Sequence, residues 1–229
     1  MKRTTIILTM FMMGIALIAQ ENNNQETKGN KNPAAKENRT TGEYRTIFGG
    51  DHTTHGGYGG LAVNWSQIDG KDAVLVGMRG GWIINHGISI GLGGYGFAND
   101  LSYNKTIDGI KDDYSMAGGY GGLVIEPIIG AKWPVHVSIP ILIGAGGVSL
   151  YNNNYYPYDP YHDYSYYPES SSAFFVLEPG IEVELNMVKF MRLAVGGYYR
   201  YTSGLDLAAT DSHALDGFSL GVVLKFGKF

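Results

Sequence analysis

FFVLEPGIEVELNMVKFMRLAVGGYYRY, the sequence of residues 174–201, alternates two kinds of side chain. Outside a central turn at 186–189, the odd positions are apolar or aromatic, and the charged residues of both signs stand at even positions. Because successive side chains of a β-strand point to opposite faces, the stretch predicts two strands with every charge on one face. An apolar face backed by a face with both charge signs is typical of a barrel wall between lipid and a polar interior.

The composition of the whole chain agrees with one β-rich domain. The 229 residues are 44% hydrophobic and 17% charged, and they include 34 glycines, about twice the usual share. Glycine in a small barrel makes room in a crowded interior and permits tight curvature. The net charge of −4 and the lack of a Lys/Arg cluster argue against a nucleic-acid partner. The chain has no cysteine, so neither a disulfide framework nor a lipid anchor on an N-terminal cysteine is expected.

The first residues resemble an export signal. Lys2 and Arg3 precede an apolar run over 6–19, which is too short for a membrane helix and suits a signal-peptide core. We place the cleavage after Ala19 and predict a signal peptide over 1–19. Residues 20–42 are polar and are predicted to be a disordered leader. The barrel is predicted to occupy residues 43–229.

Eight strands are expected, joined by connections of alternating length. The connections after the second, fourth and sixth strands are short, and those after the third, fifth and seventh, at 99–113, 151–172 and 202–213, are long. This is the asymmetry of outer-membrane barrels, which have short periplasmic turns and longer outer loops. The first connection, 68–72, is the exception, since it is a tight turn on the outer side. The predicted strands are 58–67, 73–84, 88–98, 114–126, 135–150, 173–185, 189–201 and 214–229.

Two features leave the strand assignment open. A further strand at Tyr44–Phe48 would change the count. In the third strand, Tyr95 and Phe97 stand at the opposite parity from the apolar residues over 88–92. A β-bulge among the glycines of this strand would return both sets to one face.

The charged residues of the strands are predicted to face inward. An eight-stranded barrel has an interior just wide enough for its own side chains, so these charges would form a packed ionic network; the alternative is a gated path for ions or small solutes. If strands six and seven pair with Glu184 opposite Arg192, Glu182 faces Ala194, and Arg200 lies near 176–178. The predicted network comprises Arg79, Glu126, Glu178, Glu182, Glu184, Arg192, Arg200 and Lys225.

The loop 151–172 is the candidate binding segment. It carries eight tyrosines in 22 residues, and tyrosine is favoured in binding loops because it combines a large contact area with a polar tip. The loop would project outward and contact a surface glycan or a protein; the alternative is a solvated loop without a ligand. The candidate binding residues are Tyr155, Tyr156, Tyr158, Tyr161, Tyr164, Tyr166 and Tyr167.

Three constellations invite a catalytic or metal-binding interpretation. His136-Val137-Ser138 places an imidazole and a hydroxyl on one strand face, and this spacing resembles the His-x-Ser pair of outer-membrane lipid A deacylases. Asp211-Ser212-His213 contains the residue types of a catalytic triad, but consecutive loop residues cannot adopt its geometry. The stretch 51–55 offers two histidines without an evident third metal ligand. We therefore expect no enzyme activity, no metal and no cofactor.

The last strand, GVVLKFGKF over 221–229, ends on an aromatic residue. Phe226 and Phe229 resemble the terminal signal of barrels inserted by the outer-membrane assembly machinery, although Gly227 stands where an apolar residue is usual. With the strands and loops, the chain resembles the small OmpA/OmpX-type barrels. The resemblance implies an all-β, eight-stranded antiparallel up-and-down transmembrane β-barrel in the outer membrane, with the membrane lipid and the assembly machinery as partners.

The function expected from this resemblance is non-enzymatic. Barrels of this type include structural anchors, adhesins, passive pores and a few lipid-modifying enzymes, so we expect a structural envelope component or a binder of surface ligands. The competing hypothesis is a soluble periplasmic β-barrel or sandwich that binds an apolar small molecule. In that protein the apolar side chains would converge inward and the charges would face water.

Overall fold

The computed structural model describes residues 54–107, 110–152 and 170–229. The predicted signal peptide and leader, the alternative strand at Tyr44–Phe48 and residues 153–169 of the Tyr-rich loop lie outside the described residues. No helix in the described part of the chain is long and apolar enough to cross a membrane. The strands are β1 His55–Ile68, β2 Lys71–Ile84, β3 Ile88–Ile107, β4 Ile110–Ile129, β5 Val135–Ser138, β6 Ile141–Asn152, β7 Ser170–Val188, β8 Met191–Ser203 and β9 Gly217–Lys228.

The strands close into a ring in which every pairing is antiparallel. β9 returns to pair with β1, from Gly57↔Lys228 to Ser66↔Ser219. Because the first and last strands pair, the sheet keeps no open edge along the barrel wall, and every central backbone group has a neighbour to bond.

The fifth strand position of the barrel is occupied by two short strands that share one register. β5 and β6 both pair with β4 on one side and with β7 on the other. The pairs Ile128↔Ser138 and Ile125↔Ile141 have the same offset, so the two pieces continue each other. The break falls at Pro140, which has no N–H to donate, while the Pro140 carbonyl still accepts a hydrogen bond from Gly180 N at 2.8 Å. With β5 and β6 counted as one interrupted strand, the predicted eight-stranded barrel is confirmed.

Burial alternates along the walls as a barrel in lipid requires. The charged side chains in the middle of the strands face the interior, and large apolar side chains cover the outer face. On β9, the outward Phe218 and Phe226 stand near opposite ends, about 26 Å apart along the strand at ~3.3 Å per residue. With strands tilted by roughly 40°, the outer apolar band is about 20 Å tall, close to that of membrane barrels. The outer face is the reverse of what the soluble alternative requires.

The two ends of the barrel differ in their connections. At one end, named here the turn end, the strands are joined by the short segments 85–87, 130–134 and 189–190. At the other, the loop end, β8 and β9 are joined by residues 204–216, and β1 and β2 by Asp69 and Gly70 alone. Both turn residues have positive φ, 48° and 72°, which fits a two-residue hairpin turn. The tight turn predicted on the long-loop side is therefore present.

The predicted long loop at 99–113 is wrong. β3 continues to Ile107 and β4 starts again at Ile110, so this connection is mainly an extension of the hairpin. A register shift between Asn99 and Tyr103 separates this extension from the wall below. The sequence does not alternate there because a hairpin beyond the apolar band has no face that must be apolar.

Two register details also differ from the predictions. β3 has no bulge among its glycines: its pairing with β2 is continuous from Ile84↔Ile88 to Leu75↔Phe97, and Tyr95 and Phe97 point inward. β7 and β8 pair two residues away from the predicted register, with Glu184 opposite Ala194. The turn lies at 189–190, later than predicted, and an irregularity between Asn186 and Val188 shifts the pairing beyond it by one residue.

Three layers of side chains fill the interior. Apolar and aromatic residues occupy the half toward the loop end, and the 204–216 connection adds Leu205, Leu207 and Leu215 to them. The charged side chains lie below this layer. A second, smaller apolar group closes the turn end: Tyr58, Ile83, Ile128, Ala131 and Phe229.

We expect the outer face to tolerate a charge only near its ends. Val222 is 45% exposed, lies halfway between Phe218 and Phe226 and pairs with Val63 and Val195. Val222→Lys should lower the free energy of unfolding in phosphatidylcholine vesicles by about 2–4 kcal/mol, and Ser203→Lys at the loop end by about 0–1 kcal/mol. Urea titration followed by tryptophan fluorescence measures both, and equal costs would contradict the burial of Val222 in hydrocarbon.

Candidate functional site

Six charged side chains from five strands meet in the barrel interior. Arg79 comes from β2, Glu126 from β4, Glu182 and Glu184 from β7, and their cationic partners Arg192 and Lys225 from β8 and β9. Each reaches the interior because its position has the inward parity of its strand. All six are buried in the structure. We name these six residues the charge cluster.

The Lys225 ammonium lies at the centre of the charge cluster. Its Nζ atom is 2.5 Å from Glu126 Oε1, 2.5 Å from Glu184 Oε1 and 3.3 Å from Glu182 Oε2. The three carboxylates offer oxygens within 4.8 Å of one another, an arrangement that could hold a metal ion. In this structure the lysine ammonium is the cation that they surround.

Two arginines complete the charge balance of the cluster. Arg79 Nη2 is 2.5 Å from Glu182 Oε2 and 3.6 Å from Glu126 Oε1. Arg192 Nη1 is 3.5 Å from Glu184 Oε2, and its guanidinium carbon lies 4.0 Å from the centre of the Phe229 ring. The three carboxylates are thus matched by three cations, as buried charges require.

Hydroxyl and imidazole side chains take up the remaining carboxylate oxygens. Tyr58 donates its hydroxyl to Glu126 Oε2 and Tyr198 donates its own to Glu182 Oε1, both at 2.5 Å. Ser138 Oγ donates to Glu184 Oε1 at 2.6 Å, and His136 Nε2 lies 3.0 Å from Glu184 Oε2. Every carboxylate of the cluster therefore has at least two partners, which offsets the cost of burial.

Glu178 and Arg200, predicted to belong to the same network, form a separate pair. Tyr120 donates its hydroxyl to Glu178 Oε2 at 2.5 Å and accepts a hydrogen bond from Arg200 Nη1 at 3.5 Å. Arg200 also donates to the Leu215 carbonyl at 2.6 Å and to Ser66 Oγ at 3.3 Å. The pair thus links the barrel wall to the 204–216 connection that fills the loop end.

The interior leaves little empty space in the described part of the chain. The cavity beside the charge cluster has a volume of about 10 Å³, close to the space of one water molecule. Its lining includes Arg79, Tyr95, Glu178 and Tyr198. The charges therefore bind one another across a packed interior.

Comparison with solved structures shows which fold this is. Neisserial surface protein A superposes with a TM-score of 0.52 at 11% identity, over 78% of this chain and 100% of that one. The chain has the fold of the small outer-membrane barrels. The earlier resemblance to OmpA/OmpX-type barrels is confirmed at this level. No protein-family model and no curated protein matches the sequence.

Two further solved structures match with lower TM-scores. The N-terminal β-barrel domain of Pseudomonas aeruginosa OprF matches at 10% identity and a TM-score of 0.42, over 74% of this chain and 96% of that one. Ail, the attachment invasion locus protein of Yersinia pestis, was solved in complex with the heparin analogue sucrose octasulfate. It matches at 13% identity and a TM-score of 0.39, over 76% and 95% of the two chains.

The structure shows which contacts are made by the groups that suggested catalysis. His136 and Ser138 are both buried and both bind Glu184, and neither reaches the outer face. His213 lies 3.1 Å from Asp216 Oδ2, and Asp211 accepts a hydrogen bond from the His213 backbone N–H. His55 stacks on Trp82, while residues 51–53 lie outside the described part.

The remaining candidate residues fall into two groups. Phe226 is on the outer face and Phe229 packs inside against Tyr58, with ring centres 6.3 Å apart. The seven candidate binding tyrosines, Tyr155 to Tyr167, all lie outside the described residues.

Sequence reasoning did not assign the hydroxyl partners Tyr58, Tyr120 and Tyr198 to the interior. A signal for Tyr198 was present, because it shares the even parity of Arg192 and Arg200. For Tyr58 the signal was the alternation of β1 itself, in which Tyr58 has the same parity as Ala62 and Asn64.

Lys225 should be essential for the stability of the barrel. Lys225→Met would leave three carboxylates around an uncharged side chain, and removal of one partner of a buried ionic group costs about 3–5 kcal/mol. Lys228→Met, on the same strand but exposed, should cost less than about 1 kcal/mol. Urea unfolding in phosphatidylcholine vesicles, with the heat-dependent shift in gel mobility as a second reading, measures both.

A second substitution tests whether repulsion between carboxylates is the cause. Adding Glu184→Gln to Lys225→Met removes one of the three negative charges and should recover part of the lost stability. If Lys225→Met proves as mild as Lys228→Met, the charge cluster does not hold the barrel together.

Proposed function

We propose that this protein is an integral outer-membrane barrel that is non-enzymatic and closed to solutes, and that it acts through the surfaces at its two ends. The observation that carries the proposal is the combination of a filled interior with an apolar outer face. Charges that neutralise one another in the interior, with apolar layers above and below them, favour a barrel without an ion path among the described residues. The outer face carries large exposed apolar side chains on each of the eight walls.

The filled interior favours this proposal over the other two functions. A soluble carrier of apolar ligands needs an apolar cavity, whereas the cavity beside the charge cluster has room for about one water molecule. A lipid A deacylase needs its histidine and serine within reach of lipid, whereas His136 and Ser138 are buried and held by Glu184. A structural or ligand-binding role requires neither an apolar cavity nor a histidine and serine exposed to lipid.

Fractionation and conductance test this proposal together. The protein should require detergent for extraction, migrate faster on gels before heating than after, and show no stable single-channel current in planar bilayers. A porin inserted under the same conditions is the positive control for current. Release by osmotic shock would overturn the membrane location, and a stable current would overturn the closed interior.

We further propose that the Tyr-rich loop, residues 151–172, binds a surface ligand. Replacing Tyr155, Tyr156 and Tyr158 by serine should abolish binding to any surface glycan or protein found in a screen. Removing a central aromatic contact costs about 2 kcal/mol or more, roughly a 30-fold loss of affinity. Tyr199→Ser and Tyr201→Ser, exposed on the barrel wall, are the matched control and should leave binding unchanged.

A further inference from the structure

The two ends of the barrel carry opposite charge. At the loop end, the β1–β2 turn region and the β8–β9 connection hold the aspartates at 69, 72, 206, 211 and 216 against the single Lys71. At the turn end, the connections and the end of β9 hold Lys132, Lys189 and Lys228, and no Asp or Glu side chain lies there among the described residues. All three lysines are exposed.

The cations of the turn end surround the whole barrel. Lys132 lies between β4 and β5, Lys189 between β7 and β8, and Lys228 at the end of β9. His86 lies in the connection between β2 and β3, so these four side chains are spread around the rim. Gly227 N donates to the Phe190 carbonyl at 2.9 Å, and this bond holds the end of β9 against the turn that carries Lys189.

Each of the three lysines is followed directly by an aromatic residue. Trp133 and Phe190 follow Lys132 and Lys189, and they are 68% and 61% exposed. Phe229 follows Lys228 but packs inward against Tyr58. An exposed ring beside an exposed ammonium suits the boundary of a membrane, where the ring enters the apolar layer and the ammonium stays with the headgroups.

We infer that the turn end is a binding surface for anionic phospholipid, with Lys132, Lys189 and Lys228 on the headgroup phosphates and Trp133 and Phe190 in the acyl layer. This inference rests on the proposed membrane location. Charge complementarity favours an anionic ligand, and the two exposed rings favour a lipid over a soluble acidic polymer, which offers no apolar layer to receive them. A lysine close to an anionic membrane surface strengthens binding roughly fivefold.

Brominated lipids can test each end separately, because the chain has three tryptophans at known places. In W65F/W82F the remaining Trp133 reports on the turn end, and in W82F/W133F the remaining Trp65 reports on the loop end. Both are refolded into phosphatidylcholine vesicles containing lipids with dibrominated acyl chains. The brominated lipid is either phosphatidylglycerol or phosphatidylcholine, so that only the headgroup differs.

The inference predicts selective quenching at one end. Trp133 should show an association constant for brominated phosphatidylglycerol about fivefold or more above that for brominated phosphatidylcholine, and high salt should reduce this ratio because it screens exposed charges. Adding K132Q/K189Q/K228Q should abolish the preference, while Lys71→Gln at the loop end should leave it unchanged. Trp65 should show no preference for the anionic lipid.

The outcomes separate this inference from the proposed function. If neither tryptophan is quenched by either lipid, the membrane location itself is wrong. If Trp133 is quenched equally by both lipids, or if its preference survives in K132Q/K189Q/K228Q, the barrel is in the membrane but the inference is overturned. If both lipids quench Trp133 equally and the protein sediments with peptidoglycan only when the three lysines are present, the turn end binds an acidic polymer instead.

Discussion

Neutralisation of buried charge is the constraint on which this barrel depends. Three carboxylates face three cations in the packed interior, and Lys225 contacts all three acids. An ion pair in such a place contributes little net stability, because desolvation cancels much of the Coulomb attraction. Its main effect is on specificity. A slip of one residue in any of these strands would turn its charge to the outer face and leave a partner unpaired, so the cluster selects one register for β2, β4, β7, β8 and β9.

The small diameter of the barrel requires glycine beside two of its large inward rings, Tyr95 and Tyr198. Gly77 faces inward beside the Tyr95 ring, and Gly180 lies under the ring of Tyr198. A Cβ atom at either position would collide with that ring. Tyr198 reaches Glu182 only because its ring can lie against bare backbone. The charge cluster therefore fits into the interior only because glycines stand beside the large rings there.

The sequence predicted the parts of the structure that follow from strand period alone. Inward charges in residues 174–201 and the tight turn at Asp69 and Gly70 required only alternation and turn chemistry. The inward direction of Tyr95 and Phe97 could not be obtained in this way, because the rule that apolar side chains face lipid fails where the interior is itself apolar. The β7–β8 register was missed for another reason, since both the exact position of a turn and an irregular residue beside it move every pair beyond them.

The separation of Glu178 and Arg200 from the charge cluster shows how the barrel is closed at both ends. Their link through Tyr120 lies among apolar residues, and Arg200 uses its remaining donors on the Leu215 carbonyl and Ser66. This arginine thus holds the 204–216 connection in the mouth of the barrel. At the opposite end, Arg192 covers the Phe229 ring and closes the floor. Arg192 also pairs with Glu184, and Arg200 is linked through Tyr120 to Glu178. Moving the 204–216 connection or Phe229 away would therefore remove a contact from a buried arginine, so the packing at the two ends and the buried charges depend on each other.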